Sequence, residues 1–150
     1  MRVDIWCDGA NSLKKGTIGM AAVVIYYSNI EDREDEVVDK THWGWGANGI
    51  EHATNNLAEL TAIKNSVSKV IVENPKDTEL RIYTDSKWAI CAINGEYKIS
   101  HHVSLVEEIQ SILSGFSTCR LIWVKGHAGS FYNEQCNMVA QKAAGTWRGK

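Results

Sequence analysis

The residues Val3–Gly9 constrain this chain most. Val3, Ile5 and Cys7 alternate with Asp4, Trp6 and Asp8, the two-residue period of a strand. Gly9 follows, and it is expected to stop the strand and let the chain turn away. Asp8 then stands at a strand's C-terminal end, where open α/β sheets place their chemistry. On these residues alone, an Asp that opens a turn is the favoured reading. A functional reading depends on what arrives later in the chain.

Two more strands are expected early: Ile18–Tyr27, apolar almost throughout, and Val37–Gly46. Between them Glu31–Glu36 is an acidic run that reads as a solvated hairpin turn. It would repel a phosphate backbone and belongs away from any nucleic-acid face. Trp43 and Trp45, two apart, share one side of their strand. Sheet packing is favoured for them over a base-stacking platform. Ala10–Thr17 and Gly46–Ala53 read as loops.

Thr54-Asn55-Asn56 leads into a helix, with Leu57, Leu60, Ile63, Lys64, Val67 and Ile71 in one stripe. Glu59 falls on the shoulder of that stripe. Asn56 and Glu59 have capping-box spacing, which makes a backbone-satisfying role the favoured one for Glu59. A shoulder position also lets it reach the end of a sheet beneath the helix. After a turn at Pro75, Leu80–Thr84 reads as a strand ending in Asp85, and Ser86 as the N-cap of a helix closed near Gly95. A helix over Leu105–Leu113, a strand over Arg120–Val124 and a last helix over Asn133–Thr146 complete the chain.

Strand and helix alternate from the first helix onward, which implies parallel pairing of the first and fourth strands. Asp8 and Asp85 then face one crevice. Two carboxylates that close repel each other unless a cation sits between them. Oxygen ligands on adjacent strand ends suit Mg²⁺ or Mn²⁺ better than zinc.

The totals narrow the class. A chain of 150 residues is read as one domain, 1–150, large enough to bury a core. The net charge of −2 does not advertise a nucleic-acid partner, so such a role needs local charge or metal. Cys7, Cys91, Cys119 and Cys136 form no C-x-x-C pair and read as reduced thiols. No apolar run reaches membrane length and Met1–Asp4 does not open a signal peptide. A cytoplasmic monomer without membrane association is expected.

Four segments together carry a resemblance: Asp8-Gly9, Thr54–Leu60, Thr84-Asp85-Ser86, and Trp123–Gly129 continued by Asn133–Asn137. In this order and on these elements they resemble type 1 ribonuclease H over nearly the whole chain. The resemblance implies a five-stranded mixed sheet, three antiparallel strands then parallel ones, with helices on both faces. It implies cleavage of the RNA strand of an RNA–DNA hybrid by four carboxylates holding two Mg²⁺ or Mn²⁺ ions. By position, Asp8 would bridge both ions, Glu59 and Asp85 would hold the one on the leaving-group side, and His127 would serve product release and proton traffic. Asn55 and Asn56 match contacts to the hybrid's minor groove, where 2′-hydroxyls mark the RNA. Thr54 and Asn11 match phosphate-pocket positions, and Lys87 adds a local cation.

Two departures matter. The family's fourth carboxylate is Asn137 here, ten positions after His127 as in the family. An amide oxygen ligates Mg²⁺ without charge, so weaker occupancy on the water-activating side, and a need for more metal or for Mn²⁺, are expected. An active natural variant is favoured over an engineered trap or a binding module that does not cut. Glu134, one helical turn before Asn137, offers a substitute charge directly or through water, but an acidic residue in a helix's first turn is the favoured reading. The basic protrusion of some bacterial members is replaced by Gly95–His102. Lys87, Lys98, His101 and His102 supply scattered charge, and modest hybrid affinity follows. Trp88 packs either in the core or beside the DNA strand.

Overall fold

The computed structural model describes residues 1–28, 36–125 and 130–149. Five strands, β1 (Arg2–Ser12), β2 (Thr17–Tyr27), β3 (Val37–Ala47), β4 (Glu79–Thr84) and β5 (Thr118–Trp123), form one sheet in the order β3-β2-β1-β4-β5. The β1–β2 and β2–β3 pairs are antiparallel; β1–β4 and β4–β5 are parallel. The four helices are α1 (Asn55–Ser68), α2 (Lys87–Ile93), α3 (Val103–Leu113) and α4 (Phe131–Ala144). This is the mixed sheet expected from the resemblance.

The strand alternation sorts the two faces. Val3, Ile5 and Cys7 of β1, with Leu80 and Ile82 of β4, are buried in the larger core with Leu60 and Ile63 of α1 and Val106 and Ile109 of α3. Ala21, Val23 and Ile25 of β2 face the other way, against Cys136 and Ala140 of α4. Trp43 and Trp45 are half-buried, 6.3 Å apart and nearly parallel, and pack against the larger core. No described helix is long and apolar enough to cross a membrane.

Three expectations are corrected. Gly9 does not stop β1. The strand runs on to Ser12, with Gly9 opposite Met20 and Asn11 opposite Ile18, so the loop expected from Ala10 shrinks. What Gly9 permits is a close crossing. A Cβ there would lie 2.5 Å from the Ala58 carbonyl and 2.7 Å from the Glu59 nitrogen. Asn56 and Glu59 do not form a capping box: Thr54 is the N-cap, its hydroxyl accepting from Leu57 N at 3.2 Å. The helix begins earlier than that spacing requires, which places Glu59 deeper in the structure. Ile71 leaves the stripe because α1 ends at Ser68, and it is exposed. Lys64 reaches α3 instead, pairing with Glu108 at 3.1 Å. Of the expected acidic turn, residues 31–35 lie outside the described residues.

Candidate active site

Three elements converge at the C-terminal end of the parallel strands. The last parallel pair of β1 and β4 is Trp6 with Tyr83. Asp8 lies two residues beyond it on β1, and Asp85 directly after β4. Glu59 descends from the second turn of α1, where the missing side chain of Gly9 lets the helix backbone approach. One carboxylate oxygen from each of Asp8, Glu59 and Asp85 lies within 4.8 Å of the others. Asp8 and Glu59 are buried and Asp85 is half-buried.

The backbone fixes two of these groups. Gly9 N donates to Glu59 Oε1 at 2.6 Å and to Asp8 Oδ1 at 3.0 Å. A third donor comes from α4: Asn137 Nδ2 donates to Asp8 Oδ2 at 2.9 Å, and Asn137 Oδ1 accepts from Gln141 Nε2 at 3.1 Å.

Burial dominates the electrostatics. Loss of solvent, and next the Asp85 charge, push the Asp8 carboxyl up to about 6, against the bonds from Asn137, Glu59 and Gly9. Burial and the charges of Asp8 and Asp85 raise Glu59 well above the usual carboxylate range. Among the described residues, none of the ion pairs involves these three carboxylates. A cluster of carboxylate oxygens with no ion pair among the described residues suits a hard divalent ion, whose charge offsets the burial and mutual repulsion that raise Asp8 and Glu59.

The remaining expected residues divide into two groups. Asn11 and Asn55 line the same cleft as the carboxylates, a cavity of about 440 Å³ that Asn137 also borders. Asn11 Nδ2 is engaged by the Ala53 carbonyl at 2.9 Å, and so ties β1 to the approach to α1. Thr54 and Asn56 face an adjoining groove of about 1010 Å³, with Trp88, Tyr97 and His101 on its other side. Lys87 is exposed at the first position of α2. Glu134 is exposed, yet lines a cavity of about 530 Å³ with Asp85 and Asn137. His127 lies outside the described residues.

The sequence reading missed Gln141 and the Gly9 amide. Gln141 stands four residues after Asn137, one helical turn onward, and that spacing was a usable signal. The role of the Gly9 amide depends on how closely two backbones cross, which no motif spells out.

Comparison with known proteins gives the chain's family and fold. The RNase H family model matches residues 1–145. The Ribonuclease H of Helicobacter acinonychis is 28% identical over 153 residues, covering 97% of this chain and 94% of the relative. Ribonuclease HI of Helicobacter pylori (strain ATCC 700392 / 26695) is 28% identical over 150 residues, covering 95% and 92%. Among solved structures, RNase H1 from the halophilic archaeon Halobacterium salinarum shares the fold with a TM-score of 0.74 at 20% identity, covering 95% of this chain and 97% of that one. The N-terminal RNase H domain of a Mycobacterium tuberculosis protein, solved as a fusion with maltose-binding protein, has a TM-score of 0.70 at 24% identity, covering 96% and 94%. With the family match running from the first strand through the glycine that closes the last helix, the chain belongs to the RNase H family of enzymes.

Proposed function

We propose that this chain is a divalent-metal-dependent endonuclease that hydrolyses the RNA strand of RNA–DNA hybrids, acting as a single domain over residues 1–150. The observation that carries the reading is the convergence of Asp8, Glu59 and Asp85 within 4.8 Å, two of them buried and none ion-paired among the described residues. On this reading Asp8, Glu59, Asp85 and Asn137 hold two ions, Mg²⁺ or Mn²⁺. Bound there, the ions supply Lewis acidity toward a phosphodiester and lower the pKa of water.

The chain's own groups hold and orient. The Gly9 amide fixes the facing oxygens of Asp8 and Glu59, and Asn137 fixes the other Asp8 oxygen. Asn11 and Asn55, beside the carboxylates, meet the strand to be cut. Thr54, Asn56 and Trp88 line the groove that takes the rest of the hybrid. His127 is assigned proton traffic and product release. Lys87, Lys98, His101 and His102 give scattered positive charge rather than a dense patch, which keeps hybrid affinity modest. The four free thiols fit a reducing, cytoplasmic setting, and the enzyme is taken as a monomer.

Asn137 weakens the water-activating side, because its oxygen carries no formal charge and its NH₂ faces Asp8. That same orientation favours a second reading, a hybrid-binding module or trapped variant that does not cut. Cleavage of a labelled hybrid by the unaltered chain and by Asn137→Asp, titrated separately with Mg²⁺ and Mn²⁺, decides between them. The enzyme reading expects both to cut, with the Asp form needing less metal. Binding without cleavage by the unaltered chain in either metal, restored by Asp, refutes it.

A further inference from the structure

Trp123 is a large aromatic residue left 44% exposed at the end of β5. It lies in register with Thr84, the residue before Asp85. Two contacts tie it to the rim of the carboxylate cluster. Its Nε1–H donates to the Asp85 carbonyl at 3.2 Å. Its ring face holds the Lys87 ammonium 4.2 Å from the ring centroid. Among the described residues, none of the ion pairs involves Lys87. Its positive charge therefore rests on an aromatic face, which orients an ammonium without neutralising it.

We propose that Trp123 is a positioning residue for nucleic-acid binding: it holds the Lys87 ammonium beside the carboxylate cluster, where that charge takes one backbone phosphodiester of the hybrid. The inference rests on the functional reading above and adds to it the residue that aims the contact. A free lysine side chain samples many rotamers, and ordering it on binding costs affinity. Trp123 orders it beforehand. The indole N–H, anchored on the Asp85 carbonyl, keeps the ring plane fixed relative to the metal-facing side chain of the same residue. One cation held in register with the acidic cluster lets a chain of net negative charge offer an anion a foothold next to three carboxylates.

Equilibrium binding of a fluorescent RNA–DNA hybrid tests this, with Ca²⁺ as the divalent ion, the hybrid verified intact afterwards, and several salt concentrations. Lys87→Gln is expected to weaken binding roughly three- to tenfold and to lower the slope of log affinity against log salt by about 0.9, the value for one lost phosphate contact. Trp123→Leu, which keeps an apolar side chain and loses the π face, is expected to weaken binding about threefold. Trp123→Phe keeps an aromatic face but loses the N–H anchor on the Asp85 carbonyl, and is expected to fall between the parent and Trp123→Leu. The double variant Lys87→Gln with Trp123→Leu should bind no more than about twofold worse than Lys87→Gln alone, because both changes remove one contact. Thermal unfolding of each variant shows whether the fold is kept, and Trp123→Phe against Lys87→Gln carries the comparison if Trp123→Leu is unstable. Hybrid binding by the unaltered chain with fully additive variants, or with an unchanged salt slope in Lys87→Gln, overturns this inference alone. Absence of hybrid binding by the unaltered chain overturns it together with the functional reading.

Discussion

Gly9→Ala isolates the contact that brings Glu59 to Asp8. Gly9 sits in an ordinary strand, so the substitution meets no backbone strain. Its whole effect is the added methyl, 2.5 Å from the carbon and oxygen of the Ala58 carbonyl. Ordinary contact requires about 3.5 Å or more, so β1 and α1 must separate by roughly 1 Å. The obstacle is backbone, which cannot rotate aside. The helix is also held on β2 and α3. Overpacking of this kind costs on the order of 3 kcal/mol, about 10 °C in melting temperature for a chain of this length. The same displacement lengthens the 2.6 Å bond from Gly9 N to Glu59 Oε1 and moves one carboxylate against the other two. A misplacement of about 1 Å near the reacting groups lowers turnover roughly 100-fold. Gly49→Ala is the control, because Gly49 has a positive φ and nothing within 4 Å of its added methyl. It should lose about 1–2 kcal/mol from its left-handed backbone and keep full turnover. Chemical denaturation and single-turnover hybrid cleavage, both well below the melting temperature, read out the pair. A Gly9→Ala protein within 1 kcal/mol of the parent, with unchanged turnover, refutes the argument that this crossing builds the site.

The pH dependence follows from Asp8. Its native pKa of about 6 exceeds that of an unfolded Asp, about 3.9. The native state therefore binds the proton more firmly, and this contribution to stability is complete below about pH 4 and lost as pH rises through about 6. In EDTA the melting temperature of the parent should fall across that window, Asp8→Asn should flatten the fall, and Mg²⁺ at pH 7.5 should restore stability to the parent and not to the variant. A parent curve that rises across the window would contradict the assignment. Glu134→Gln should change the Mn²⁺ concentration for half-maximal cleavage by less than about threefold, because Glu134 is exposed and stands outside the group of three carboxylates that meet within 4.8 Å. A tenfold change would make Glu134 the replacement for the family's fourth carboxylate.

The sheet order was legible because it depends on period and order. Alternation at Val3–Cys7 and Leu80–Thr84, with a helix before the second, points to parallel neighbours, and residues at the ends of those strands then share a crevice. Asp85 and the Ser86 cap, which accepts from Ala89 N at 3.1 Å, follow from local turn chemistry. The role of Gly9 was not legible, because a glycine that ends a strand and a glycine that admits a crossing helix look alike in one dimension. The capping-box reading of Glu59 failed for a related reason. Its capping-box spacing is real, but Thr54 competes two positions earlier and wins the cap. The helical phase set from Thr54 turns Glu59 inward, where its carboxylate accepts from the Gly9 backbone amide. The resemblance supplied Asn137 as a position, while its hydrogen bonds came only from the packing of α4 over β1 and β2.

Those bonds give the amide a definite polarity. An ionised Asp8 only accepts, so Asn137 must turn its Nδ2 toward it. That leaves Asn137 Oδ1 as an acceptor, and Gln141 meets it with Nε2. The sequence Gln141 to Asn137 to Asp8 thus delivers a donor to a buried anion, as a cation would. An aspartate at position 137 would present a fourth negative charge where a donor now stands. The substitution that weakens a metal site therefore stabilises the fold without metal. Asn137→Asp should lose about 2 kcal/mol in EDTA at pH 8, the worth of a hydrogen bond to a charged group plus the repulsion that replaces it, which is roughly 6 °C in melting temperature. In Mg²⁺ the loss should shrink or reverse, since four carboxylates bind the ion more firmly than three carboxylates and an amide. Differential scanning calorimetry of both proteins with and without Mg²⁺ measures the two gaps. Equal stability in EDTA would show that the Asn137 bond contributes nothing to Asp8, and the account of the amide as a stand-in for a cation would fall.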